Sequence, residues 1–590
     1  MRKFLLLLFP AVACVSVYGD VTLPPLISDN MLLQRSKAAV WGKADPGEKV
    51  KVTLGETSAS ATADKDGKWR VKLEGLKAGE AGAMTISGKN KLTIQNVAIG
   101  DVWVCSGQSN MEFTVNRGLN AQQEITSADS PDIRMFTVPK KASETPVDEV
   151  DGKWEVCDPS TVSHFSAVGY FFARQLHDDL HIPVGMIHSS WGGTAAQSWT
   201  PAETLQADAE FNVRYYTPWQ AWLPKYPAAK LEYETKTLPA WQTAADQAKA
   251  AGQPIPRKPG PPDGPGSCRA PGGLYNGMLF GATQYPIKGA IWYQGEANAG
   301  DAVRYRKLLP AMIGSWRKAW NVGDFPFLIV QLANFMARRD LPADSNWADL
   351  RDAQRLTLDT TPNTAMAVAI DIGDDRDIHP KNKQEVGRRL ALAAEAKVYG
   401  KELISSGPLF DTAKFDGSNV KITFKPGTAI GLTSKDGEPL KGFALAGDDH
   451  KFIWADAKIV TADSASQTVA TSSKKGKAGK KAKAKSAPSV AESTILVTSL
   501  AIPNPIAVRY AWADNPEVNL VNKAGLPASS FRSDDWLQTP PPPIVLAQPS
   551  PSPAAKPAAS PASAAPAATA APATTVPATT GSSAAPAPAK

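Results

Sequence analysis

The spacing of hydrophobic and polar positions changes character twice between residues 20 and 540. Residues 20–98 hold short runs of strand-like alternation at 39–42, 49–54, 69–73 and 84–88. Asp45-Pro46-Gly47 and Asp64-Lys65-Asp66-Gly67 separate them, which predicts a small N-terminal β domain of sandwich type over 20–98. From about Ala98, continuous apolar runs replace the alternation, at 102–105, 184–188, 289–293, 327–331 and 366–370. Runs of this length, without a polar face, are expected of parallel strands buried on both sides. Helical periodicity occupies the intervals, at 167–179, 302–320, 347–359 and 383–398. Strands alternating with helices predict a doubly wound α/β domain with a parallel sheet over 99–403. Residues 201–270, rich in Pro, Trp and Tyr, interrupt that scheme and read as an insertion over the sheet's edge. Strand-like runs return at 420–424, 451–454 and 507–510, predicting a C-terminal β domain over 404–539.

Composition refines this picture at the ends of the chain. Residues 1–19 begin with Arg2 and Lys3, continue into an apolar stretch and offer small residues at Ala11, Ala13 and Gly19. That is the pattern of a cleaved secretory signal and is too short for a membrane span, so a secreted, periplasmic or cell-surface protein is expected. Lipid attachment at Cys14 is an alternative processing route, for which Ala11 is a poor match. No later stretch is long and apolar enough to cross a bilayer. From about Pro540 the chain is almost entirely Pro, Ala, Ser and Thr, which cannot bury a core, so 540–590 reads as a disordered tail.

Net charge is +7, but residues 473–486 hold seven Lys and no acid. Taking those seven from 64 basic residues leaves 57, equal to the 57 acidic ones. The remainder is balanced, which argues against a nucleic-acid partner. The Lys-rich segment reads as a surface loop within the C-terminal domain. Sixteen Trp supply flat apolar faces that suit sugar rings and equally suit core packing. Cys105, Cys157 and Cys268 remain after signal removal, and Cys157–Cys268 is the favoured pair in an oxidising compartment because Cys105 sits in a core strand. No close Cys pair of zinc-site type is present.

Chemistry-bearing residues follow the buried strands. Ser106-Gly107-Gln108-Ser109-Asn110 follows the first, Ser189-Ser190-Trp191-Gly192-Gly193-Thr194 the second, Gln294-Gly295-Glu296 the third, and Asp371–Asp377 with Ile378-His379-Pro380 the fifth. Loops at the carboxyl ends of parallel strands converge on one crevice. Acyl transfer needs a nucleophile, a base and oxyanion donors. Ser109 is the candidate nucleophile, His379 its base, and Asp377 the residue that orients the imidazole. Ser109 and Gly193 offer backbone N–H groups and Gln294 a side-chain donor. His188, at the end of the second strand, is a candidate substrate contact. His177 with His181, and the Asp371–Asp377 cluster, have weak metal-site spacing; a solvated helix end and ordering of the histidine loop explain them more simply.

Gly107-Gln108-Ser109-Asn110-Met111, Trp191-Gly192-Gly193-Thr194, Tyr293-Gln294-Gly295-Glu296 and Asp377-Ile378-His379-Pro380 together resemble the sialate O-acetylesterase family of SGNH-type carbohydrate esterases. The resemblance spans about residues 20–540 and includes Gly525-Leu526-Pro527-Ala528-Ser529 and Asp534-Asp535-Trp536. It implies a flavodoxin-like SGNH core flanked by β-sandwich-type domains, hydrolysing O-acetyl esters of sugars without metal or cofactor. It further implies Ser109 as nucleophile, His379 with Asp377 as base, and Gly193 and Gln294 in the oxyanion hole. Gln108 and Glu296 match motif positions and are assigned substrate-binding or supporting roles. An O-acetylated sugar or glycan is the expected partner. Sialate and acetylated plant polysaccharide such as xylan share the same ester and are not separated by these motifs; Arg269 and Arg304 are candidate contacts to an anionic sugar. A reading of another class, suggested by the β domains, the Trp content and the tail, is a carbohydrate-binding surface protein with a vestigial esterase core.

Overall fold

A single 17-residue strand, β1 (Lys91–Gly107), joins two kinds of sheet. Its first half alternates mostly exposed positions with the buried Ile94, and everything from Val97 to Gly107 is buried. The first pattern suits an antiparallel edge and the second a strand covered on both faces. In the computed structural model, which describes residues 20–461 and 493–536, β1 does both. Its start pairs antiparallel with Gly79–Ser87, and its end pairs in parallel on both sides. The expected signal segment 1–19, the Lys-rich loop 473–486 and the tail 540–590 lie outside the described residues. Among the described residues no helix is long and apolar enough to cross a membrane.

The central sheet continues with β2 (Ser130–Thr137), β3 (Trp154–Cys157), β4 (Val184–Ser190), β5 (Gly289–Tyr293), β6 (Phe327–Gln331) and β7 (Thr364–Val368). Their order is β7-β6-β5-β1-β4-β2-β3, with only β3 antiparallel to its neighbour. The chain steps to one side of β1 for β4 and to the other for β5. Such a reversal opens a crevice at the carboxyl ends of the strands. The expected runs correspond to β1 and β4–β7, with the last beginning two residues earlier than its apolar run. β2 went unread because Pro131, Asp132 and Arg134 break its apolar pattern. Arg134 is nonetheless buried, satisfied by the carbonyls of Pro131, Asn30 and Asn96.

Five helices matter for the site: α1 (Ser109–Glu112), α2 (Ala167–Leu180), α3 (Ala302–Trp320), α4 (Asn346–Thr360) and α5 (Lys383–Tyr399). Side chains of Ser166, Ser345 and Asn382 cap α2, α4 and α5 by accepting early backbone N–H groups. α2 packs on α5 and α3 on α4, one pair on each face of the sheet. Trp103, Trp154, Trp199, Trp292 and Trp316 are fully buried. Trp292 meets Trp316 and Trp199 edge-on at 5.6 and 6.1 Å, pairs worth about 0.5–1.5 kcal/mol each beyond their buried area. Much of the tryptophan content is therefore packing.

The expected boundary at residue 98 falls inside β1, so the N-terminal strands are continuous with the core sheet. Buried Asp101 strengthens the junction, accepting bonds from Gln34, Arg35 and Tyr399 at 2.7–2.9 Å. Beyond α5, described strands form small antiparallel sheets, including Phe410–Asp416 with Asn419–Phe424 and Phe443–Ala446 with Ala507–Tyr510. Of the run expected at 451–454, only Ile453–Trp454 is extended and paired. Residues 202–250 of the insertion are a nearly continuous helical run. The Pro-rich return packs against it: Trp222, Tyr233 and Trp241 donate to the carbonyls of Asp263, Pro259 and Pro256. The expected Cys157–Cys268 bridge is not formed. Cys157 is buried at the end of β3, Cys268 is half-buried in the insertion, and all three thiols are free.

Candidate active site

The apolar interior of β1 ends at Gly107, and only glycine fits there. A Cβ would lie 2.1 Å from the Tyr293 carbonyl oxygen of β5, and φ is +143°. That close approach lets the Gln108 N–H reach the same carbonyl at 3.0 Å, and α1 begins at once with Ser109. On the other side of the crevice, Asp374 accepts the N–H groups of Arg376 and Asp377, and Asn382 starts α5. His379 is held between these two turns. Its Nε2 lies 2.9 Å from Ser109 Oγ. Its Nδ1 lies 3.5 Å from Asp377 Oδ1, which also accepts the His379 backbone N–H at 2.8 Å. Partial burial, with the charges of Lys383 and Arg117, holds the imidazole below its ordinary pKa against the pull of Asp377.

Two backbone donors close to this pair in the chain are left open, one on Ser109 itself and one on Gly193, whose neighbour Gly192 lies against Ser109. Among the described residues, neither Ser109 N–H nor Gly193 N–H has an acceptor. Gly193 adopts φ +74°, and a Cβ there would meet nothing within 4 Å. The preceding Gly192 N–H is taken by Glu112 Oε2 at 2.6 Å, which pins this loop to α1.

The side-chain amides are arranged otherwise than expected. Gln294 is fully buried, and its Nε2 is surrounded by Asn298 Oδ1, Gln108 Oε1 and Thr194 O at 2.8, 3.2 and 3.2 Å. Its two N–H bonds are spent on these acceptors, so it has no donor left for an oxyanion. Gln108 is the opposite case. Its Oε1 receives Gln294 Nε2 and the backbone N–H groups of Ala297 and Gly295 at 3.2, 3.2 and 3.4 Å. Backbone N–H groups cannot accept, so the oxygen must face them and the nitrogen must face away. That Nε2 has no protein acceptor among the described residues, and although Gln108 is buried this atom is not completely enclosed.

Beneath Ser109 lies a polar hub that sequence reading missed. Asn110 Nδ2 donates to Glu296 Oε1 and Ile378 O, and its Oδ1 accepts from Lys383 Nζ, all within 3.0 Å. One side chain thus ties together the loops bearing Ser109, Glu296 and His379. Burial drives Lys383 down to about 7, opposed by the Glu296 carboxylate, and burial raises Glu296. Asn110 and Lys383 flank the motif serine and histidine, and only that adjacency could have drawn attention to them.

Other candidates lie elsewhere or are already occupied. His188 is buried, bonded through Nε2 to Ser190 Oγ at 2.5 Å and pushed down to about 4 by burial, so it does not reach substrate. Asp371 is paired with Arg389, and His177 Nδ1 bonds Ile182 O. Arg304 is held by Asp301 and Glu210, and Arg269 by Asp263. Arg117 has no carboxylate partner among the described residues. It is exposed, with its guanidinium 4.5 Å from the Phe113 ring centre. Its segment is fastened to the His379 loop by Leu119 N–H donating to Lys381 O at 2.9 Å.

Known proteins resemble this chain over most of its length. Residues 270–396 match the family described as carbohydrate esterase, sialic acid-specific acetylesterase. The mouse protein named sialate O-acetylesterase is 29% identical over 83% of this chain and 89% of its own. Its human counterpart is 30% identical over 76% of this chain and 84% of its own. A crystal structure of a carbohydrate acetylesterase from Xanthomonas citri superposes with a TM-score of 0.69 at 34% identity, covering 88% of this chain and 100% of that one.

Proposed function

The chain belongs to the sialate O-acetylesterase family, and from that membership we propose that it is an exported enzyme removing O-acetyl groups from sialic acids through Ser109, His379 and Asp377. That it is a carbohydrate esterase follows from the comparisons. The observation carrying the finer reading is the 2.9 Å separation of Ser109 Oγ and His379 Nε2 beside two unpaired backbone N–H groups.

In this mechanism His379 Nε2 takes the Ser109 proton as Oγ attacks the acetyl carbon. The carbonyl oxygen becomes an oxyanion, met by Ser109 N–H, Gly193 N–H and, in place of Gln294, Gln108 Nε2. The imidazolium then returns its proton to the departing sugar oxygen, leaving acetyl-Ser109. Water, deprotonated by the same imidazole, releases acetate and restores the serine. Asp377 keeps Nδ1 protonated and turned away from the serine. The order of β4, β1, β5, β6 and β7 across the sheet supports a flavodoxin-like SGNH core. Flanking β domains and export directed by residues 1–19 belong to the same reading; N-terminal sequencing of exported protein tests the latter.

Arg117 favours sialate over neutral xylan. It is an exposed cation fastened to the His379 loop and, among the described residues, in no ion pair with a carboxylate, as an anionic sugar requires. The experiment compares acetate release from 9-O-acetyl-N-acetylneuraminic acid and acetylated xylan, each with a Ser109→Ala control. Release from the sialate should dominate and disappear in the control. Arg117→Ala should raise KM for that sugar but not for its carboxylate methyl ester. Preference for xylan would overturn the substrate assignment, and undiminished hydrolysis by Ser109→Ala would overturn the mechanism.

A further inference from the structure

The C-terminal β region holds a cleft of about 180 Å³ that the esterase chemistry leaves unused. Phe452, Trp454 and Trp512 supply aromatic walls, and Asp344, His450 and Arg509 supply polar ones. Trp454 is 40% exposed, in contrast to the five tryptophans of the core. Its Nε1 already donates to Asp340 O at 2.7 Å. The indole is therefore pinned, with its polar edge satisfied and ring surface left to solvent.

The polar walls differ in what they can offer. Arg509 bonds Asp534 twice at 2.8 Å, and its guanidinium lies 4.1 Å from the Phe452 ring centre and 5.0 Å from that of Trp512. Its charge is compensated, so it serves as a flat wall with no call for an anion. His450 is stacked on Trp536 at 3.7 Å and 10°. The Asp344 carboxylate forms a loose ion pair with Arg509 at 3.6 Å, and its side chain is 71% exposed, which leaves lone pairs to accept hydroxyl groups. A flat apolar face beside an accepting carboxylate, without an uncompensated cation, matches a neutral sugar ring. The volume is below the roughly 300–1,000 Å³ of pockets for drug-sized ligands and suits one ring.

The cleft is also connected to the catalytic loops. Residues 332–345 leave the carboxyl end of β6. Early in this loop, Asn334 Oδ1 accepts Gly373 N–H at 2.6 Å, and Phe335 pairs with Asp374, within the segment leading to Asp377 and His379. Later in the same loop, Pro342–Asp344 form one side of the cleft.

We propose that this cleft is a distal glycan subsite, binding one neutral pyranose unit of the substrate's carbohydrate chain by stacking on Trp454 and hydrogen bonding to Asp344. Its contribution to turnover rests on the esterase reading; its affinity for sugar does not. The test titrates the full chain bearing Ser109→Ala with xylohexaose, maltohexaose and lacto-N-tetraose in a calorimeter. At least one should bind. Adding Trp454→Ala should weaken binding by about tenfold or more. Adding Asp344→Ala, a change at an exposed side chain, should weaken it about threefold. With Ser109 intact, Trp454→Ala should keep 4-nitrophenyl acetate turnover within about twofold, which also reports correct folding. Binding of none of the three oligosaccharides, or binding untouched by Trp454→Ala, would overturn the proposal. Failure of the esterase reading shows separately, as 4-nitrophenyl acetate hydrolysis that survives Ser109→Ala.

Discussion

Replacing Gln108 by Glu separates two jobs that one amide performs. The acceptor job survives, because a carboxylate oxygen can receive Gln294 Nε2 and the Gly295 and Ala297 N–H groups as Oε1 does now. The donor job is lost, because the Nε2 that lacks any protein acceptor becomes an oxygen. If that nitrogen serves the oxyanion, its removal costs about 2.7–4 kcal/mol of transition-state stabilisation, or roughly 10²–10³ in kcat. An ionised carboxylate beside the developing oxyanion adds repulsion, so the loss should reach at least the upper part of that range. Gln294→Met is the complementary change. It removes donors already spent on Asn298, Gln108 and Thr194 and leaves buried acceptors unpaired, at a cost of about 1–3 kcal/mol in folding. The assay is kcat for 4-nitrophenyl acetate alongside urea unfolding. Gln108→Glu, assayed where urea unfolding shows it folded, should have kcat reduced roughly 10³-fold, whereas Gln294→Met should unfold earlier than the parent with a smaller kcat loss. Near-parental kcat in Gln108→Glu, or a larger kcat loss in Gln294→Met at equal folding, would refute the assignment.

Further predictions concern protons, the buried hub and thiols. His379 must be neutral to act as base, and its pKa is held below the ordinary value, so the acid limb of kcat/KM should fall below the pH of an unperturbed histidine; a limb above about 6.5 would contradict this. Removing the Lys383 cation should raise the His379 pKa, moving that limb in Lys383→Met to higher pH, measured in the same pH–rate profile. The same variant leaves Asn110 Oδ1 without its donor and the buried Glu296 carboxylate without a compensating cation, so it should lose about 3 kcal/mol in urea unfolding. Burial pushes the Cys157 thiol up to about 12 and Cys105 higher still, while Cys268 is half-buried. Of Cys105, Cys157 and Cys268, alkylation followed by peptide mapping should label only Cys268 in the native protein and all three after denaturation.

Fully buried parallel strands leave a plain signature, because both faces demand apolar residues. For that reason β4–β7 and the inner half of β1 are readable directly from hydropathy. Motif residues at strand ends are readable for a related reason: polar side chains directly after a buried run mark the lip of the sheet. The placement of Ser109, His379, Asp377 and Gly193 in loops after strands needed no more than that, and the family resemblance supplies the roles proposed for them. β2 escaped because Arg134 is buried by carbonyl groups from distant segments, a satisfaction no local pattern displays.

Hydropathy periods and local motifs already specify the alternation of elements, the loops carrying chemistry and the family to which those loops belong. Which amide is free and which is spent depends on folding, since Gln108 and Gln294 are the same residue type and differ only in what surrounds them. Folding likewise leaves Arg117 exposed beside the His379 loop, makes Asn110 the tie between three loops and sets Cys157 apart from Cys268. In each case, hydrogen bonding and charge pairing between segments far apart in the chain determine what a side chain can still do. Those pairings exist only once the chain has folded.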